Sequence, residues 1–334
     1  MDAPTAVWGR FAALSAALLA LLPTAAAADG CRLSQVASLE LATAADGEPE
    51  IPVKIDGSAV DLRLDLNDPF TFLTSTAAAQ LKLAPANSGS APEVVFRDRA
   101  EKRGIFMGDV SVVTVPEMEI GPLAVQNLGV YSAAGVSFAN GISGGLGLDV
   151  LGRYDVELDL AKNRLSLFDP HHCPGQVVYW THQPVGIVDI EVMPGGTYHY
   201  NFNLDGKEIG AFVTPENPQT LLAFFTAREE FALTHETKTV AAAGTGATVG
   251  ALYRYPFKSL DANGLALANP AVYLFGDENN DMVCDSKAHE RGINHGYRCR
   301  GDAALKIGLH ELRALHLFFD FSDKKLYVTA ANAN

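Results

Sequence analysis

Apolar and polar positions alternate along short stretches of this chain, and Gly, Pro and Asn-Asp pairs punctuate them. The stretches 53–55, 61–65, 111–115 and 156–160 alternate or run apolar between such turns, the period-two pattern of half-buried strands. Helical spacing is confined to short segments at 75–83, 225–233 and 149–154. Asp56-Gly57 and Asp205-Gly206 are hairpin-turn dipeptides set between apolar runs. The pattern predicts an all-β protein with a few helical turns.

The same pattern occurs twice. Val53-Lys54-Ile55-Asp56-Gly57 has a counterpart in Phe202-Asn203-Leu204-Asp205-Gly206, at an offset of 149 (206 minus 57). At that offset Leu64-Asp65-Leu66-Asn67 faces Val213-Thr214-Pro215-Glu216, and Thr71-Phe72-Leu73 faces Thr220-Leu221-Leu222. Gly121-Pro122-Leu123 and Asn127 match Gly264-Leu265-Ala266 and Asn269. Later, Gly147-Leu148-x-x-Leu151 pairs with Gly308-Leu309-x-x-Leu312, and Asp159 with Asp320, at an offset of 161 (308 minus 147). The growth in offset places an insertion in the second copy, near 277–300. Pro170, Pro174 and Pro184 mark the join, so the copies are expected at 29–175 and 176–334.

The amino terminus changes the expected compartment. Arg10, an apolar run of 12 residues from Phe11 to Leu22, Pro23 and the small residues Ala25–Ala28 are the parts of a secretory signal peptide at 1–28. The run is shorter than the roughly 20 residues of a membrane span. A mature chain of about 306 residues (334 minus 28) suffices for two lobes with their own cores. A net charge of −14 and few charged residues argue against nucleic acid or anionic membranes as partners. Cys31, Cys173, Cys284 and Cys299 make an even set, as disulfide candidates in an oxidising periplasmic or extracellular space, and four cysteines allow three pairings.

A hairpin, an apolar-apolar-Asp loop, a Thr with apolar residues, a small helix and a late Gly-Leu-Asp-x-Leu form an order that resembles the retropepsin-like aspartic proteases. The resemblance runs through both copies and is similar to exported bacterial forms with two fused lobes. It implies two tandem β-barrel lobes related by a pseudo-twofold axis. It also implies a catalytic pair of acids, because two adjacent carboxylates share one proton and so supply a base and an acid together. The family loop reads Asp-Thr-Gly, whereas the loops here read Asp65-Leu66-Asn67 and Thr214-Pro215-Glu216.

By this resemblance Asp65 fills the first catalytic position and Thr214, which is no acid, the second. Asn67 and Glu216 stand where the family has glycines that help the loops turn. The expectation is therefore a pseudo-peptidase that binds an extended polypeptide by strand addition, with no cofactor. Two alternatives stand beside it. One is an active peptidase pairing Asp65 with a displaced acid, Glu216 or Asp68; the other is a structural envelope protein. Asp65 itself also reads as a solvated turn aspartate.

Other groupings are weaker. Cys284, His289, His295 and Cys299 have the residue types of a zinc site but match no standard spacing, and a disulfide is the preferred reading. Asp277-x-Asn279-x-Asp281 begins like a calcium loop but lacks its glycine and its final Glu. His171-His172 reads as part of a solvated linker.

Overall fold

The computed structural model describes residues 32–44, 47–93, 111–138, 141–193, 196–246, 249–278 and 305–332. The expected signal peptide, Cys31, and the zinc-like and calcium-like spacings beyond Glu278 lie outside these residues. Among those described, no helix is long and apolar enough to cross a membrane.

Among the described residues, twenty-two strands carry the fold. The first half contains β1 (Gln35–Glu40), β2 (Ala42–Thr43), β3 (Pro49–Ile55), β4 (Ser58–Leu64), β5 (Phe72–Thr74), β6 (Ser111–Ile120), β7 (Leu123–Ala133), β8 (Gly144–Leu146), β9 (Asp155–Asp159) and β10 (Arg164–Phe168). The second contains β11 (Gly186–Val192), β12 (Tyr198–Leu204), β13 (Lys207–Thr214), β14 (Thr220–Ala223), β15 (Ala241–Gly246), β16 (Gly250–Arg254), β17 (Ser259–Asp261), β18 (Ala266–Ala268), β19 (Val272–Phe275), β20 (Leu305–Gly308), β21 (Leu315–Asp320) and β22 (Lys325–Ala330).

In the first lobe the order β3-β4-β8-β5-β7-β6 closes through β3–β6 pairing, with β2 on the rim. Closure leaves no exposed barrel edge. The second lobe repeats the circuit through β12-β13-β20-β14, but its long hairpin is split. β16–β19 and β17–β18 together take the place of β6–β7. The breaks fall at Pro256 and at Asn269-Pro270, where proline interrupts a ladder by lacking an N–H.

Register proves the repeat residue by residue. The parallel pairing Leu62↔Gly144 recurs as Ala211↔Leu305, and Leu64↔Leu146 as Val213↔Ile307. These shifts are the 149 and 161 read from the sequence. The turn residues follow: Asp56 and Asp205 have φ of 48° and 47°, and Asn127 and Asn269 have 53° and 52°. Both Asp-Gly dipeptides sit in the left-handed region, which a two-residue hairpin turn requires.

The lobes join in a six-stranded antiparallel sheet ordered β1-β10-β9-β21-β22-β11. At its centre Glu157 pairs with Phe318, its own counterpart at offset 161, so the pseudo-twofold axis runs through that pair. The segment after β10 crosses this sheet, burying Val177 and packing Trp180 beside Phe168, Phe318 and Tyr327.

The strand and helix expectations hold with shifted ends. Helices form at Ser75–Gln80, Phe224–Phe231 and Leu148–Leu151. Thr74 caps the first by accepting the Ala77 N–H at 3.1 Å. A further one-turn helix at Leu309–Leu312 carries too short a pattern to be read by period. His171 is exposed as expected of a linker, whereas the His172 ring is only 1% exposed and the linker reading fails there.

Candidate functional site

Strand β4 delivers Asp65 at its end, and the Asp65 N–H donates to the Leu146 carbonyl of β8 at 3.2 Å. The residue is 4% exposed, so it is a buried group and not a solvated turn aspartate. Its Oδ1 accepts the N–H groups of Asn67 at 3.1 Å and Asp68 at 2.8 Å, which folds the loop over the carboxylate. Its Oδ2 accepts from Arg63 Nη2 at 3.0 Å. Arg63 lies two residues back along β4, hence on the same face of the strand. Its guanidinium lies over the rings of Phe72 and Phe138, 5.5 and 5.3 Å from their centroids. Burial works against the Arg63 charge, but the carboxylates of Asp65 and Glu216 outweigh it and hold Arg63 above its ordinary value.

Two further acids surround this pair. Asp68 accepts from the Phe70 N–H at 2.9 Å and from the Tyr131 hydroxyl at 3.3 Å. Burial, then the charge of Asp65, push Asp68 up to about 6. Burial and Asp68 in turn push the Tyr131 phenol up.

On the second loop Thr214 is 3% exposed and donates to the Ile307 carbonyl at 3.0 Å. Glu216 is partly exposed as a residue, yet its Oε2 is enclosed and has no hydrogen-bond partner. Burial, then the charge of Asp65, push Glu216 up to about 8. At neutral pH Glu216 is thus protonated, beside the Arg63–Asp65 pair.

The loops meet directly. Asn67 Nδ2 donates to the Val213 carbonyl at 2.7 Å, tying the first lobe to the second. Neither Asn67 nor Glu216 adopts a positive φ, so a non-glycine residue leaves no backbone strain at these positions. Leu66 points into the core and is fully buried.

Behind each loop a threonine and an acid hold the late glycine motif. Asp149 accepts from the Thr71 N–H at 2.9 Å and from its hydroxyl at 2.7 Å, while Thr71 Oγ1 accepts the Gly147 N–H at 3.0 Å. In the second lobe the Thr220 hydroxyl donates to Glu311, and Thr220 Oγ1 accepts the Gly308 N–H at 2.9 Å. The strict counterpart of Asp149 is His310, so the supporting acid has moved by one residue. Sequence reading missed Arg63, although its two-residue spacing from Asp65 was the available signal. It also missed the Thr–acid braces.

Among the described residues, no group of three metal-ligating side chains converges on the two loops. Cys173 is the one cysteine described and is not a free thiol. Its pairing with Cys31, Cys284 or Cys299, all outside the described residues, stays an expectation.

No protein-family model matches the chain, and no curated sequence matches it. Solved structures do. An aspartic proteinase from Irpex lacteus aligns at 12% identity and TM-score 0.49, covering 89% of this chain and 98% of its own. Conglutin gamma, a basic 7S globulin from lupine seeds, aligns at 13% identity and TM-score 0.48, covering 90% and 96%. A retropepsin-like aspartic protease from Rickettsia conorii aligns at 16% identity and TM-score 0.27, with 95% of it covering 41% of this chain. The repeated strand register makes the chain an all-β protein of two tandem barrel lobes about a pseudo-twofold axis.

Proposed function

We propose that this chain is an exported pseudo-peptidase, an aspartic-protease-like protein that binds extended polypeptide between its lobes without hydrolysing it. One observation carries the reading: the Asp65 carboxylate is committed to Arg63 and two backbone N–H groups. General-base catalysis needs a carboxylate free to take a proton from water. Asp65 is held in an ion pair, and Thr214, the residue at the partner position, has its hydroxyl turned to the Ile307 carbonyl. Peptide binding through strand pairing needs neither acid.

Glu216 favours a second reading. A carboxyl pushed up to about 8 is protonated at neutral pH and is a proton donor in waiting beside Asp65. Such an enzyme would work near neutrality, unlike one that depends on two ordinary aspartates. Incubation of a denatured protein substrate from about pH 3 to 7, with wild type beside Asp65→Ala and Glu216→Gln, separates the readings. The pseudo-peptidase reading expects no cleavage by any of the three, with peptide binding seen by fluorescence anisotropy. Cleavage by wild type that disappears in both variants would establish the Asp65–Glu216 enzyme instead.

A further inference from the structure

The interlobe sheet buries a second polar cluster, remote in sequence from the two acidic loops. Asp155 opens β9, Asp320 closes β21, and His172 reaches in from the segment that crosses the sheet. Both carboxylates are fully buried and the imidazole is 1% exposed. His172 Nε2 lies 2.7 Å from Asp155 Oδ2 and 3.9 Å from Asp320 Oδ1. One donor atom from each residue falls within 4.8 Å of the other two.

Three details point to a ligand there. First, His172 Nδ1 faces the Cys173 carbonyl at 3.2 Å. A carbonyl only accepts, so Nδ1 carries a hydrogen; Nε2 faces the carboxylates, as in histidines that bind metal through Nε2, and the proton it shares with Asp155 is the one a metal ion would displace. Second, Asp320 Oδ2 is enclosed and has no hydrogen-bond partner, while Oδ1 accepts from Ser322 and Asp323. A bare buried carboxylate oxygen calls for a cation.

Third, the molecule contains its own control. At offset 161, Asp155 corresponds to His316 and Asp159 to Asp320, so the opposite end of the β9–β21 pair is the twin of this cluster. There Lys162 reaches Asp159 at 2.9 Å, Arg164 lies 4.0 Å from it, and His316 binds Glu157 at 2.8 Å. Protein cations balance that end. At the Asp155–Asp320 end, Asp323 stands in the place of Lys162, and the counterpart of Arg164, Lys325, pairs with Asp189. Among the described residues no lysine or arginine pairs with Asp155 or Asp320.

We propose that Asp155, His172 and Asp320 bind a divalent first-row metal ion, with zinc the best match to one imidazole and two carboxylates. Two carboxylates and a neutral imidazole balance one dication, and such N/O donor sets suit zinc. The ligands come from a strand of each lobe and from the segment between them, so the ion is structural and fastens the crossing segment to the interlobe sheet.

The test uses untagged full-length protein stripped with chelator, zinc as the probe and calorimetry as the readout. The expected result is one equivalent bound, with a melting temperature that rises with zinc concentration. Asp320→Asn, nearly the same shape, and His172→Gln should each weaken binding at least about 100-fold, since even outer-shell partners are worth about 10–100-fold. His289→Ala/His295→Ala should leave it unchanged. Because wild type alone reports stoichiometry and thermal shift, a variant that fails to fold leaves the test intact. Absence of stoichiometric binding, showing that His172 holds only a proton, overturns the proposal. So does tight binding that survives Asp320→Asn or is lost in the His289/His295 variant.

Discussion

Asp65 and Glu216 lie close together in very different surroundings. Asp65 accepts from Arg63 and two backbone N–H groups, whereas Glu216 keeps one carboxyl oxygen enclosed without a partner. The consequence for stability has a definite sign. In the unfolded chain Glu216 ionises near 4.5, while in the folded chain it keeps its proton up to about 8. Between these values the unfolded state binds fewer protons, so stability is fully present below about 4.5 and is lost as pH rises through about 8. Asp68 acts the same way between 3.8 and about 6. Replacing Glu216 with Gln should flatten this decline and raise the melting temperature at pH 8 by several degrees, at roughly 2–4 °C per kcal/mol for a domain of 150–250 residues. Thermal melts of both proteins from pH 4 to 9 check it; parallel curves would sink the account. None of this was visible in the loop sequences, which show that an acid is missing opposite Asp65 but not that Arg63 occupies the remaining one. Ion pairing depends on which residues the strand pleat brings to one face.

Among the elements, the parallel pairs β4–β8 and β13–β20 are the most tightly specified. β8 runs into Gly147 and β20 ends on Gly308, and neither glycine has room for a side chain. A Cβ on Gly147 would lie 2.5 Å from the Phe70 backbone, and one on Gly308 would lie 2.2 Å from the Gln219 backbone. The obstacle is backbone in both cases, so neither site relaxes by a rotamer change. Gly308→Ala should therefore destabilise the protein by about 2–4 kcal/mol, and Gly147→Ala by a similar amount, measured by urea unfolding. A loss below about 0.5 kcal/mol would mean that the loops yield. These elements were the most legible in the sequence, because a repeated Gly-Leu-x-x-Leu fixes both copies at once. The split of the second hairpin was less so, since Pro256 and Pro270 signal breaks without saying that β16 and β17 share one strand position. The acid behind Thr220 was harder still: Glu311 stands one residue from the place the repeat assigns.

For the whole molecule, the six-stranded interlobe sheet shows why the two halves share one chain. Each lobe leaves an edge strand, β9 or β21, which is completed only by the other. Fragments 29–175 and 176–334 should each be poorly soluble or unfolded alone and should recover a 1:1 complex when expressed together, as size-exclusion chromatography would report. A well-folded monomer from either fragment would contradict this. The repeat made the pseudo-twofold arrangement legible, but the packed crossing segment was not, because its prolines read as a linker while Val177, Trp180 and His172 are used as core.

The pair on the axis has a further meaning. A twofold assembly of identical first lobes would set Glu157 against Glu157 in a buried sheet, a juxtaposition of like charges that costs stability. The fused chain sets Glu157 against Phe318 and lets its carboxylate turn to His316 and Tyr179. An acid at that central position in one half only therefore disfavours a dimer of that half and favours the fused pair.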